Sequence, residues 1–263
     1  MLADVCVEKK RFKVDKALLE KRFQAAISTY DRHAVVQQAM ATRLVNLARS
    51  YVPSKLSEVL EVGCGTGLLT QEIVKHFTVG KYNFNDLVDN TYTTISPILN
   101  NQVVQTQFIG GDAEQVDLPD GQNCIWSGAT IQWISHLSTF FKKLNDLLNP
   151  NSYLIVSTFG PDNYREIRQI TGNGIDYKTK EQIVEAASPQ FELLAFEEWQ
   201  QSMWFNQPMD ILKHMRYTGV NSVSHCRWGK GQMHAFISAY EELAQLEGYP
   251  LTYHPYLMIF KKK

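Results

Sequence analysis

Short segments with apolar residues at strand spacing alternate with segments of helical period between residues 55 and 160. Five segments are of this kind: residues 59–62, 81–87, 105–109, 123–127 and 153–159. Each is too short for a helix and is bounded by glycine or polar residues, which favours strands joined by helices. Such alternation predicts an α/β fold with a mostly parallel sheet.

Helical patterns flank this region. Residues 15–50 predict two helices with a break near residues 28–31. After residue 160, a capping box formed by Thr179 and Gln182 predicts one helix, and residues 191–205 predict a sixth strand. Two more helices are expected from Pro208 and from Gln232, before a last strand at residues 256–260. We therefore expect one domain over residues 1–263: N-terminal helices at 15–50, a sheet core at 55–160, lid helices with the sixth strand inserted at 161–250, and the seventh strand at 251–263.

Composition excludes several classes of protein. A length of 263 residues with 44% apolar and 20% charged residues is ordinary for a globular domain, and a net charge of −1 does not favour nucleic-acid binding. The four cysteines form no C-x-x-C pair, so neither a metal site nor a disulfide framework is expected. The first residues lack the apolar core of a signal peptide, and no later stretch reaches membrane-spanning length. These features predict a cytoplasmic protein.

A glycine-rich turn follows the first predicted strand. Its glycines, Gly63, Gly65 and Gly67, are spaced G-x-G-x-G, whereas a dinucleotide fingerprint needs its third glycine at position 68, which is Leu68. With the acid Glu61 at the end of the strand, the pattern resembles motif I of class I S-adenosylmethionine (SAM) methyltransferases. The glycines would let the backbone approach the amino-acid end of the cofactor.

Carboxylates follow the next two strands. Asp86 ends the second strand, where an acid can accept hydrogen bonds from ribose hydroxyls, and Asp89 is the competing candidate. After the third strand, Asp112 could accept a hydrogen bond from the amine of adenine, or it could be a solvated turn residue.

The chain as a whole resembles the malonyl-[acyl-carrier protein] O-methyltransferase family of biotin synthesis, the BioC family. The resemblance rests on these segments: residues 30–34 (Y-D-x-H-A), 60–67 (L-E-V-G-C-G-T-G), 111–114 (G-D-A-E), 131–133 (I-Q-W), 216–219 (R-x-x-G) and 249–254 (Y-P-L-T-Y-H). Members of that family usually have Asp-Leu-Ser and a Met after the second strand, whereas here Asp86 leads into Leu87-Val88-Asp89.

The resemblance implies a Rossmann-like class I methyltransferase fold, SAM as cofactor and S-adenosyl-L-homocysteine as product. The cofactor-binding residues that it implies are Tyr30, Glu61, Gly63, Cys64, Gly65, Gly67, Asp86, Leu87, Asp112, Ala113, Ser127 and Gly128. The reaction would esterify the free carboxylate of a malonyl thioester. A carboxylate is ionised at neutral pH, so no general base is expected.

The acceptor side is also implied by resemblance. The residues expected to position the acceptor or bind its carboxylate are Tyr30, His33, Trp133, Arg216 and His254. Arg216 could instead lie on the surface and meet the acyl carrier protein, for which Lys213, Arg227 and Lys230 are the docking candidates. Malonyl-coenzyme A is the alternative carrier. A SAM enzyme with another acceptor, such as a quinone ring or a small acid, and a non-catalytic SAM-binding scaffold are the competing hypotheses.

Overall fold

The computed structural model describes residues 14–99, 103–220 and 228–263. The strands formed by these residues are β1 (Lys55–Val62), β2 (Thr78–Asp86), β3 (Gln105–Gly110), β4 (Gln122–Ser127), β5 (Leu148–Phe159), β6 (Phe191–Glu198), β7 (Gln201–Phe205), β8 (Tyr249–Tyr253) and β9 (Pro255–Lys262). The α-helices are α1 (Lys16–His33), α2 (Val35–Ala48), α3 (Leu68–His76), α4 (Thr91–Leu99), α5 (Leu137–Leu147), α6 (Arg165–Thr171), α7 (Lys180–Ala187), α8 (Pro208–Tyr217) and α9 (Lys230–Glu241). None of these helices is both long and apolar enough to cross a membrane.

Seven of the strands form one sheet in the order β3-β2-β1-β4-β5-β9-β6. The pairs among β1 to β5 are parallel, while β9 runs antiparallel to both β5 and β6. The sheet is therefore the mostly parallel, seven-stranded α/β sheet that the alternating pattern predicts. The other two strands, β7 and β8, pair in a separate two-stranded sheet.

Apolar side chains fill the space on both faces of the large sheet. Val59 and Ile155 belong to the core on one face, and Leu60 and Leu154 belong to the core on the other. All four are fully buried. Burial on both faces explains why neighbouring residues of these strands, Val59 with Leu60 and Leu154 with Ile155, are both apolar.

The strands that follow β1 in the chain lie on both sides of it. The chain first adds β2 and β3 on one side and then adds β4 and β5 on the other. Such a reversal opens a crevice at the carboxyl ends of the strands, which is where ligands bind in open α/β sheets.

Two local predictions were wrong, and one helix was not predicted. The first helix does not break at residues 28–31 but continues to His33; Thr29 is satisfied inside it because its hydroxyl donates to Ala26 O. Residues 191–205 form two strands, and the second of them pairs with β8 rather than with the large sheet. The helix α6, which begins after Tyr164, was not predicted because turn residues surround it.

Candidate active site

A cleft with an empty volume of about 870 Å³ lies at the carboxyl ends of the neighbouring strands β1 and β4. Its walls are the turn after β1, the carboxyl ends of β2, β3 and β4, and helix α1. Nine of the residues expected from sequence line it: Tyr30, Gly63, Gly65, Asp86, Leu87, Asp112, Ala113, Gly128 and Trp133.

The three glycines of the turn have different neighbours, although all three have positive φ. A Cβ on Gly63 would come within 2.2 Å of Thr130 Oγ1, and one on Gly67 within 2.5 Å of Ile98 Cδ1. A Cβ on Gly65 would meet no atom within 4 Å. Gly63 and Gly67 therefore serve close packing of the protein, whereas Gly65 presents bare backbone to the cleft.

Asp86 lies in the cleft at the end of β2. Its Oδ2 accepts a hydrogen bond from Gly65 N at 2.7 Å, and its Oδ1 accepts one from Val88 N at 2.8 Å. Burial raises the pKa of this carboxyl to about 6, although the backbone donors act in the opposite direction. The competing candidate Asp89 is exposed, lies against Gly110 and does not line the cleft.

Asn85 and Asp112 complete this side of the cleft. The Asn85 side chain donates to Ile109 O at 2.8 Å and to Gly111 O at 3.0 Å, and so ties the end of β2 to the end of β3. Asp112 Oδ1 accepts from Glu114 N at 3.1 Å. Sequence reasoning missed Asn85, because β2 also contains Lys81, Asn83 and Asp86 and one more polar residue gives no distinct signal. Its burial, which calls for a specific hydrogen-bond partner, is visible only in the structure.

Glu61 lies beneath the turn rather than in the cleft. Its Oε2 accepts hydrogen bonds from Tyr82 at 2.6 Å and from Thr70 at 2.7 Å, which links β1 to β2 and α3. Burial raises the pKa of Glu61 to about 7, against the effect of these two donors. Its Oε1 is buried without a hydrogen-bond partner among the described residues.

Three other expected cofactor residues do not line the cleft. Cys64 is buried with its Sγ 3.9 Å from Thr91 Oγ1, and Ser127 donates to Val62 O at 3.1 Å. Gly67 packs against α4. These residues contact the protein interior and stabilise the turn and the strand ends.

Helix α1 covers the cleft with one face. The cleft-lining residues of this helix are Lys16, Leu19, Phe23, Ile27 and Tyr30. Steps of three and four place these residues along one side of a helix, over about 21 Å from first to last. We therefore regard α1 as a strap that lies lengthwise over the site.

The strap is held at its carboxyl end. Asp31 accepts a hydrogen bond from Thr66 in the glycine turn at 2.5 Å. Phe23 packs edge-to-face on Trp133, with ring centroids 5.9 Å apart, and lies 6.4 Å from the ring of Tyr30. Aromatic packing of this kind closes one end of the cleft to water.

A buried hydrogen-bond network lies next to Tyr30. Tyr164 donates to the hydroxyl of Tyr253 at 2.9 Å, and that hydroxyl lies 2.6 Å from His214 Nε2. Burial lowers the pKa of His214 to about 4, and His33 contributes in the same direction. Burial raises the pKa of Tyr30, with further contributions from Asp31 and Asp86. At neutral pH the network is therefore uncharged.

The remaining acceptor candidates lie outside the lining of the cleft. His33 stacks on Tyr217 with centroids 4.6 Å apart, and Arg216 is exposed with its guanidinium 5.5 Å from the same ring. His254 is buried, and its Nε2 lies 3.2 Å from Glu198 Oε2.

Two of the three docking candidates are among the residues that the structure describes. Lys213 is exposed and pairs with Asp210 at 2.8 Å, and Lys230 is exposed in the first turn of α9. Arg227 lies outside the described residues.

Comparison with known proteins was made on sequence and on structure. A family model described as a methyltransferase domain matches residues 59–151. A malonyl-[acyl-carrier protein] O-methyltransferase of Bacteroides thetaiotaomicron is 34% identical over 261 residues, covering 95% of this chain and 99% of the relative. One from Bacteroides fragilis is 36% identical over 251 residues, covering 94% of this chain and 51% of the relative. The chain thus spans about half the length of that second relative.

Among solved structures, the N-methyltransferase NodS from Bradyrhizobium japonicum, in complex with S-adenosyl-L-homocysteine, is similar with a TM-score of 0.54. The identity is 11%, and the match covers 93% of this chain and 98% of NodS. At that identity the match supports a shared fold alone.

Proposed function

The chain belongs to the malonyl-[acyl-carrier protein] O-methyltransferase family, and we propose that it transfers the methyl group of SAM to the free carboxylate of a malonyl thioester. The product would be the malonyl methyl ester, formed at an early step of biotin synthesis. The partner is an acyl carrier protein that holds the malonyl group, or coenzyme A in its place. Cys64 and Cys124 are buried free thiols, which agrees with action in the cytoplasm.

The observation that best supports the proposal is the open backbone at Gly65, which lies next to the carboxylate of Asp86 in a cleft that Asp112 also lines. SAM when bound supplies an electrophilic methyl group on a sulfonium. Gly65 offers room at the turn for the cofactor's amino-acid end. Asp86 has carboxylate lone pairs left for ribose hydroxyls, and Asp112 keeps an oxygen for the amine of adenine. The residues present therefore fit the cofactor.

The acceptor needs placement and a dry site more than it needs a base. Its carboxylate is ionised at neutral pH, so no side chain has to remove a proton. Opposite charges of nucleophile and sulfonium cancel as the methyl moves, and exclusion of water strengthens this effect. We assign that exclusion to Trp133 and to Tyr30 of α1, which both line the cleft. Exposed Arg216 fits the carrier protein better than it fits the acceptor carboxylate.

The test is transfer from methyl-labelled SAM to a panel of acceptors. We expect label on malonyl-carrier protein and malonyl-coenzyme A, and little on a succinyl thioester or on free malonate. Label on a quinone or a small acid alone would show a different acceptor. SAM binding without label on any acceptor would favour the scaffold hypothesis.

The ionisation of Asp86 predicts how cofactor affinity depends on pH. Its pKa of about 6 means that the carboxylate fraction falls as pH falls through that value. A protonated carboxyl accepts hydroxyl donors less well, so SAM affinity should decrease below about pH 6 and level off above it. Titration calorimetry from pH 5 to 8 measures the SAM affinity. The Asp86→Asn variant should bind SAM weakly, with an affinity that does not change with pH. If its affinity changed with pH as that of the wild type does, the titrating group would be a residue other than Asp86.

Docking of the carrier protein is expected on the exposed lysines. Reversal of Lys213 to Glu, or of Lys230 to Glu, should raise KM for malonyl-carrier protein severalfold at low salt and less at high salt, because screening weakens attraction to an acidic partner. KM for malonyl-coenzyme A should not change. Lys75→Glu is the matched control, since Lys75 is also exposed and has an acid, Glu72, three residues earlier on α3. If Lys75→Glu raised this KM equally, the assignment of Lys213 and Lys230 to docking would be wrong.

A further inference from the structure

Lys16, at the start of the α1 strap, lies between two carboxylates of the loop after β3. Its ammonium is 3.1 Å from Asp112 Oδ1 and 3.0 Å from Glu114 Oε2. The three side chains are 24%, 17% and 16% exposed. A partly buried pair with two acceptors is held more firmly than an isolated surface ion pair.

Glu114 fixes the position of this ammonium. Its carboxylate accepts hydrogen bonds from the backbone amides of Ser135 and His136, at distances between 3.1 and 3.2 Å. Both amides precede α5, which packs on the sheet. Glu114 is therefore a rigid anchor, and Lys16 connects it to Asp112.

The two oxygens of Asp112 have different environments. Oδ1 accepts from Lys16 and from Glu114 N, both at 3.1 Å. Oδ2 accepts no hydrogen bond from any residue in the described part of the chain, and Asp112 lines the cleft. The ammonium thus holds Asp112 in one orientation and leaves a single oxygen for a donor from a ligand.

We propose that Lys16 is a positioning residue for the cofactor: it fixes Asp112 for the exocyclic amine of adenine and ties α1 down over the adenine end of the cleft. This inference rests on the proposed use of SAM. Lys16 and Asp112 also line the neighbouring groove beside Thr139 and Lys143, so together they form the wall between that groove and the cleft. Loss of the ammonium would open this end to water and let the carboxylate turn.

The experiment compares two ligands in each variant by calorimetry. The ligands are S-adenosyl-L-homocysteine and S-inosyl-L-homocysteine, in which a carbonyl replaces the adenine amine. Lys16→Met keeps the aliphatic stem and removes the charge, and Lys16→Arg restores a cation. Lys21→Met, on the exposed side of the same helix, is the matched control. The ratio of the two affinities is measured within one protein, so it does not depend on the folded fraction.

We expect Lys16→Met to bind S-adenosyl-L-homocysteine about tenfold more weakly and to lose most of its preference over the inosine analogue. Lys16→Arg should recover most of that preference, and Lys21→Met should behave as wild type. A wild-type preference in Lys16→Met would overturn the inference. If Asp112→Asn also kept the preference, the placement of adenine at Asp112 would be wrong. Failure of the wild type to bind S-adenosyl-L-homocysteine would instead contradict the proposed function.

Discussion

Replacement of Gly65 by valine is expected to weaken SAM binding by about a hundredfold or more, because the new side chain would fill the space that the cofactor needs. No protein atom lies within 4 Å of a Cβ at this position, so the folded protein has room for the first carbon of the side chain. The loss should therefore appear in the calorimetric affinity and only modestly in thermal stability.

The backbone conformation adds a cost that needs its own control. Gly65 has a φ of +53°, a region that valine adopts with strain. Gly121 has a φ of +75° and also has no atom within 4 Å of a Cβ, but it lies outside the cleft. Gly121→Val should lose comparable stability and keep SAM affinity. If both variants lost SAM affinity equally, backbone strain rather than a filled cofactor site would be the cause. Unchanged affinity in Gly65→Val would refute the cofactor site.

Truncation of Tyr30 to alanine is expected to lower kcat by about a hundredfold, with a smaller effect on SAM affinity. The ring closes the end of the cleft beside Phe23 and the glycine turn, so its loss admits water and loosens the acceptor. Tyr30→Phe keeps the ring and should keep most of the activity. Single-turnover transfer from labelled SAM measures the step directly.

A tyrosine outside the cleft provides the control for Tyr30. Tyr51 follows α2, is 38% exposed and does not line the cleft, so Tyr51→Ala should retain the wild-type kcat. If Tyr30→Ala also retained it, the reacting end of the cleft would have to lie elsewhere than under the carboxyl end of α1.

The residues that line the cleft beside the glycine turn could be predicted from sequence because their signals are local. Gly63, Gly65 and Gly67 lie within five residues, and the acids Asp86 and Asp112 end or follow short segments that are recognisable as strands. Parallel strands bring their carboxyl ends to one edge, so residues distant in sequence meet there without any further information.

The strap α1 and the ion pairs of Lys16 could not be predicted, because their signals are not local. Lys16 is 96 residues from Asp112, and a lysine on an amphipathic helix reads as a solvated charge. The pairing of His214 with Tyr253 spans 39 residues and depends on the separate sheet formed by β7 and β8. The acceptor residues expected by family resemblance stay predictions, and the structure places His33, Arg216 and His254 away from the cleft lining.

The most direct test of the central claim is the intact mass of malonyl-carrier protein after incubation with SAM and this protein. We predict a gain of one methyl group per malonyl group, and with methyl-labelled SAM alkaline hydrolysis should release that label as methanol, because the product is a methyl ester. The Gly65→Val variant should produce no gain. No gain with the wild type, or label that stays in the released acid instead of appearing as methanol, would contradict transfer of the SAM methyl group to the malonyl carboxylate.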